Sequence, residues 1–300
     1  MKYNTRYCYY VVAFIDVLGQ KAEFKDIYEI PTDKESEEKL LNAHRETVLF
    51  LGKFRDSFEK VFKIYVKNKS PKVKVPKNKI KKFLQIRKVV LKHHRFSDCI
   101  QAFVPLETKK FHSNAVNGVF GILSACGGMM LITLSSQKAF RAGIDLGLGA
   151  ELNNGEVYGP ALFKAYKLED KIARYPRIVV GDSLINYLER ISRRQKQCDG
   201  QDIEDIEACK KMSDFCLNMI SKDTDEQMIL NYLGKEFMKK VLSKMDMFKE
   251  IYEKAYNFVE SEFIRRKNIG DSKLTDRYNK LYNYFKNNKI DISWSGQHWS

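Results

Sequence analysis

The stretch Tyr9–Gly19, YYVVAFIDVLG, constrains this chain more than any other. Apolar, largely β-branched and aromatic residues run unbroken to Asp16, and a glycine closes the segment. Such a run reads as a strand buried on both faces. A carboxylate where that strand runs out is costly to bury alone, so it lies solvated at a rim, meets a cation or binds metal. A second stretch, Phe96-Ser97-Asp98-Cys99-Ile100-Gln101-Ala102-Phe103, repeats the design. Asp98 enters a strand whose alternate residues Ile100, Ala102 and Val104 are apolar. Two acidic strand ends set in hydrophobic sequence point to one site with two carboxylates.

The 300 residues are enough for one large domain or two small ones, and a balance of 44% hydrophobic to 30% charged residues is that of a soluble globular protein. The formal net charge is +15, but it is not spread over the surface. Between Lys60 and Arg95 there are fourteen Lys and Arg and no Asp or Glu, and the rest of the chain holds 39 basic and 38 acidic residues. The basicity belongs to one segment. Few aromatic residues interleave with it, so a solvated insertion is expected there before a nucleic-acid surface. The six cysteines form no C-x-x-C pair and have no His partners at zinc spacing, so they are expected to be reduced thiols in a cytoplasmic protein. Ser113–Gln137 is 25 residues without a charge, long enough to span a bilayer. Its glycines, asparagines and serines favour a buried helix followed by a strand, and no membrane partner is expected.

Along the chain, residues 20–30 read as a short helix or helical turn ended by Pro31, and Glu35–Val66 as a long helix. The helix carries an apolar stripe through Leu40, Leu41, Ala43, Val48, Leu49, Leu51, Phe54, Phe58, Val61 and Phe62. Residues 67–79 read as a basic loop or a Lys-blunted edge hairpin, and 80–92 as a strand or helix. Then come a strand (Ile100–Val104), the uncharged helix (Ser113–Gly127) and strands at Met129–Leu134 and Phe140–Gly147. A turn at Glu156–Pro160 opens a helix through Asp170, and a strand follows at Pro176–Gly181. The order β-α-β-β-α-β-α-β predicts an α+β fold, a mixed sheet with helices packed on it. From Ser183 onward the strand signals stop, and residues 204–220, 225–263 and 273–286 read as amphipathic helices. Two regions are therefore expected: 1–182, with a basic insertion at 60–95, and a helical C-terminal region at 183–300.

Four fragments in this order, F-I-D-V-L-G, F-S-D-C-I, R-A-G-I-D-L-G and E-V-Y-G-P-A-L-F-K-A-Y-K-L-E, resemble the class III nucleotidyl cyclases, the adenylate and guanylate cyclase catalytic domain. The resemblance covers about Tyr9–Gly181. The wording F-S-D, and G-P-A-L-x-x-A-Y-x-L-E followed by A-x-x-P-R-I, is most similar to the bacterial Pycsar pyrimidine cyclases of antiphage defence. It implies a ferredoxin-like sheet, a nucleoside triphosphate substrate and two Mg²⁺ or Mn²⁺ ions. Asp16 and Asp98 would be the metal ligands, with the carbonyl of Val17 helping and backbone amides around Leu18, Gly19 and Gln20 facing the phosphates. It further implies a homodimer with composite sites, and a downstream effector that responds to the cyclic product.

Departures from that pattern shape the expectation. The positions of the Asn and Arg that steady the transition state in purine cyclases fall on Phe163 and Lys167. Phe163 cannot hydrogen-bond a ribose, and Lys167 keeps a charge without a bidentate fork. Arg141, Lys164 and Arg177 are the candidates to supply the missing contacts. The two base-reading positions fall on His94 and Glu156, a pair that argues against adenine readout and does not itself name a pyrimidine; UTP or CTP is what the resemblance implies. Glu156 also suits a helix-start carboxylate. Two other readings stay open at this point: a palm-type oligonucleotide cyclase or polymerase, and a nucleic-acid-binding protein that uses the 60–95 segment on a cyclase-like scaffold.

Overall fold

The computed structural model describes residues 5–19, 30–67, 89–96, 98–107, 113–152, 155–194, 203–244 and 247–289. The expectations for residues 20–29 and for most of the basic segment, 68–88, lie outside the described residues.

The elements follow in order as β1 (Arg6–Leu18), α1 (Lys34–Lys67), β2 (Lys92–Phe96), β3 (Cys99–Pro105), α2 (Ser113–Ser135), β4 (Ala139–Glu151) and β5 (Val157–Tyr158). Next are α3 (Pro160–Lys167), a π-helical turn (Leu168–Ile172), β6 (Ile178–Val180), α4 (Asp182–Ser192) and α5 (Ile203–Asn218). The chain ends with β7 (Ile220–Lys222), β8 (Met228–Leu230), α6 (Lys235–Lys240), a 3₁₀ turn (Leu242–Lys244), α7 (Phe248–Ile269) and α8 (Ser272–Asn287). The strands build one sheet in the order β2-β3-β1-β4-β6-β8-β7, with β5 paired to β4. Its first four strands are mutually antiparallel and β6 joins β4 in parallel. The β-α-β-β-α-β succession with order 2-3-1-4 is the ferredoxin-like arrangement, so the α+β mixed sheet anticipated above is what forms.

Strict alternation along β1 builds two cores. Val11, Ala13, Ile15 and Val17 face Phe54, Phe58 and Phe62 of α1 and Val119, Ile122 and Leu123 of α2, all buried in the larger core. Each such side chain contributes about 1.5–3 kcal/mol when fully buried. Cys8, Tyr10, Val12 and Phe14 face the other way, against Phe103, Val157 and the Ala161 and Ala165 stripe of α3. That second core is small because α3 covers only part of the sheet face. The close approach of α3 depends on the glycines of F-R-A-G-I-D-L-G: a Cβ on Gly143 would sit 2.2 Å from the Ala165 carbonyl oxygen, and one on Gly147 2.8 Å from the Ala161 nitrogen.

Three expectations are corrected. The strand at Met129–Leu134 does not exist, because α2 continues as one helix to Ser135. A fully buried run carries no period that distinguishes strand from helix, and α2 packs against α1, α5, α7 and the sheet. The same packing answers the question of a membrane span, since 94% of its most apolar window is buried inside the protein. The strand signals do not stop at Ser183 either. β7 and β8 interrupt the helices read at 204–220 and 225–263 and extend the sheet through the pair Val179 and Ile229. The larger core runs without a break into Leu230, Phe237, Val259 and Phe285 of the C-terminal part. Lastly, the helix read through Asp170 ends as an α-helix at Lys167 and widens into the π turn.

Candidate active site

The end of β1 brings Asp16 beside two cross-strand neighbours, Cys99 of β3 and Arg141 of β4. All three lie on the face of the smaller core, just beyond the cover of α3. Asp98 occupies the turn between β2 and β3, where its carbonyl accepts the Val17 N–H at 3.3 Å. This backbone tie holds the two acidic segments together. One ligand atom each from Asp16, Asp98 and Cys99 lie within 4.8 Å of one another, the convergence expected from the two acidic strand ends.

Arg141 neutralises the inner side of the cluster. Its Nε and Nη2 donate to Asp16 Oδ2 at 3.1 and 3.0 Å, and its Nε lies 2.6 Å from Glu169 Oε1. Glu169 is 2% exposed and arrives from the π turn. Burial pushes its carboxyl up to about 8, with Arg141 opposing and Asp16 adding to the rise. Burial likewise raises Asp16, against the pull of Arg141 and with a further push from Asp98. Burial, with Asp16 and Asp98 adding to it, drives the Cys99 thiol up to about 12.

This donor chemistry suits a hard divalent cation. Asp16 Oδ1, the oxygen Arg141 does not take, lies 3.8 Å from Cys99 Sγ, and Asp98 Oδ1 lies 4.0 Å from the same sulfur. Two converging carboxylates supply the oxygen donors that hard divalent cations such as Mg²⁺ and Mn²⁺ take. Val17 lies beside them with its side chain buried; Leu18 ends β1, and Gly19 turns the chain with a φ of 94°. Gln20 lies outside the described residues.

The remaining candidates fall in separate places. His94 Nε2 is 3.1 Å from Glu156 Oε1, so the two base-reading positions meet within one protomer. His94 is in register with Gln101, two residues along β3 from Cys99, and therefore shares the face of Asp16. Beside it, Lys92 pairs with Glu151, which also accepts the Tyr10 hydroxyl at 3.3 Å. Phe163 and Lys167 are exposed on α3. Phe163 is 53% exposed and packs edge-on against Tyr158, while Lys164 Nζ meets Ser183 Oγ at 2.7 Å. Arg177 has a different employment from the one expected. It is 3% exposed, and its guanidinium is held by Asp223, by Asp225 at 2.8 and 2.7 Å, and by the Ile172 carbonyl at 2.7 Å. It fastens the β7–β8 turn to the sheet and is not available to a substrate in this arrangement.

Glu169 is the site residue that sequence reasoning missed. Its spacing from Ala161 and Ala165, eight and four residues, places it on the inward stripe of α3, and that is the signal by which the sequence could have shown it.

No family model matches the chain, and no curated protein matches it. Among solved structures, the crystal structure of the adenylyl cyclase CyaB from P. aeruginosa is similar at 14% identity, over 62% of this chain and 83% of that one, with a TM-score of 0.39. A likeness this distant carries no argument about activity.

Proposed function

We propose that the protein is a divalent-metal-dependent nucleotidyl cyclase that converts UTP or CTP to the 3′,5′-cyclic monophosphate and pyrophosphate. The observation that carries the reading is the convergence of Asp16 and Asp98, whose ligand atoms lie within 4.8 Å at the open end of the sheet. Asp16, Asp98 and the Val17 carbonyl would hold the Mg²⁺ or Mn²⁺ ions. Bound there, these ions supply activation of the ribose 3′-hydroxyl and charge neutralisation on the triphosphate.

The reaction joins the 3′-oxygen to the α-phosphorus and breaks the α–β phosphoanhydride bond, so the attacking hydroxyl loses a proton and pyrophosphate leaves. Asp16 and Asp98 supply the negative charge that gathers cations at this point. Arg141 adds a fixed cation 3.0 Å from Asp16, in the half-buried surroundings where such charge is most effective. Glu156 offers an acceptor to a base N–H, either N3–H of uracil or the N4 amine of cytosine, and His94 a ring nitrogen to a neighbouring base atom. The resemblance adds a homodimer whose sites are shared between protomers, a cyclic-nucleotide-responsive effector and a role in antiphage defence. The exposed aromatic residues Tyr158, Phe163 and Tyr166, at 60%, 53% and 46%, give a second protomer an apolar surface to bury. Ala165 of the same helix is buried within the protomer and lies outside that surface.

The test is mass spectrometry of the products formed from all four nucleoside triphosphates with Mn²⁺. The account predicts a cyclic pyrimidine mononucleotide. A linear or cyclic oligonucleotide would move the assignment to a palm-type enzyme, and no turnover of any triphosphate would remove it.

A further inference from the structure

We propose that Glu169 is a positioning residue for the metal ligand Asp16: by sharing Arg141 it keeps one carboxylate oxygen of Asp16 open to a divalent cation. The inference rests on the metal reading given above and adds a residue to it.

The geometry around Arg141 is asymmetric. Both of its bonds to Asp16 fall on Oδ2, and the shortest contact of its Nε, 2.6 Å, goes to Glu169 Oε1. The guanidinium is thus drawn to the inner side of Asp16, and Oδ1 is left with the weak Cys99 thiol contact at 3.8 Å as its partner. An Arg with a single carboxylate partner favours a two-pronged pairing that occupies both oxygens. Without the second carboxylate against its Nε, Arg141 would settle over Oδ1 as well and compete with any cation for it.

The fold makes a specific provision for Glu169. Glu169 continues the buried Ala161 and Ala165 stripe of α3 toward the sheet, and the π turn Leu168–Ile172 closes around it with the Ala173 N–H on the Leu168 carbonyl at 2.8 Å. The strand beneath is cut away to receive it, since a Cβ on Gly143 would stand 2.7 Å from the Glu169 nitrogen. The side chains of Glu169, Asp16 and Arg141 are 3%, 17% and 21% exposed, so the sharing takes place where water screens little. An ion pair that served only stability would need neither the placement beside Asp16 nor the asymmetric bonding.

Mn²⁺ binding to the full-length chain, followed by the electron paramagnetic resonance of free Mn²⁺, reads this without reference to turnover. Glu169→Met keeps the bulk and removes the carboxyl group that lies against Arg141, and it should weaken Mn²⁺ roughly tenfold or more. Glu169→Gln keeps an oxygen for Arg141 and should stay within about threefold of wild type. In Arg141→Met/Glu169→Met the competitor is gone too, and affinity should return to about the wild-type value, a positive coupling in the double-mutant cycle. Wild-type affinity in Glu169→Met, or no recovery in the double variant, overturns the proposal. Should Glu169→Met fail to fold, Arg141→Met decides: it should bind Mn²⁺ at least as tightly as wild type, and weaker binding is the contrary result. Asp16→Asn separates the two levels. If it binds Mn²⁺ like wild type, the metal reading itself falls, whereas loss of binding in Asp16→Asn with no effect in Glu169→Met removes only the role of Glu169.

Discussion

Burial raises the Glu169 carboxyl even with Arg141 against it and the half-buried Asp16 beyond. The consequence is a pH-dependent stability with a definite sign. Glu169 is raised to about 8 in the folded protein, against roughly 4.3 in an unfolded chain. Between those values the native state binds more protons than the unfolded state, so the contribution of Glu169 is full below the lower value and is lost as pH rises through the upper one. In metal-free protein, Glu169→Gln carries no such dependence. The melting temperature of Glu169→Gln should therefore gain on wild type progressively from pH 5 to pH 8, and parallel melting curves across that range would contradict the assignment. Asp16 and Asp98 were legible in the sequence because a carboxylate that ends or opens an apolar strand is anomalous and demands a partner. The inward placement of Glu169 was legible too, at helical spacing from Ala161 and Ala165, but nothing in the sequence showed that Arg141 and Asp16 would lie beneath it.

At the scale of elements, the site depends on how closely α3 approaches β4. Gly143 lies under both α3 and the π turn, with the Ala165 carbonyl oxygen 2.2 Å and the Leu168 Cβ 2.6 Å from where a methyl group would be. Gly143→Ala should cost about 1–3 kcal/mol in urea unfolding, as overpacking against backbone does, and should displace Glu169 along with the turn. A loss under about 0.5 kcal/mol, the size of an ordinary surface change, would show that α3 yields easily. The sheet centre was legible because β1 and β3 alternate or run apolar over many residues between turn signals. β7 and β8 were not, since three residues each are too few for a period to emerge beside long amphipathic helices. The 23 residues of α2 defeated the reading from the opposite side, because a helix buried all round has no polar face to mark its turns.

For the whole molecule, Asp16, Asp98, His94 and Glu156 share one sheet face that α3 only partly covers. The proposed homodimer would bring the His94–Glu156 pair of one protomer opposite the carboxylates of its partner. Mixing Asp16→Ala with the double variant His94→Ala/Glu156→Ala tests this. Each alone should be inactive. In a random mixture half the dimers carry one intact site of two, so activity should return to about a quarter of wild type. No recovery after confirmed subunit exchange would mean that each site belongs to one protomer. The charge of the whole chain, by contrast, was a poor guide. Its excess belongs to the sequence from Lys60 to Arg95.

The central claim is that Asp16 and Asp98 together make a metal-dependent nucleotide site, and conservative removal of either carboxylate tests it most directly. Asp16→Asn and Asp98→Asn preserve shape and remove charge. Each should retain the far-ultraviolet circular dichroism of wild type, and each should lower the yield of cyclic nucleotide from pyrimidine triphosphates by roughly a hundredfold or more in saturating Mn²⁺. Turnover within about threefold of wild type in either folded variant, in the range of a lost peripheral contact, would contradict the account.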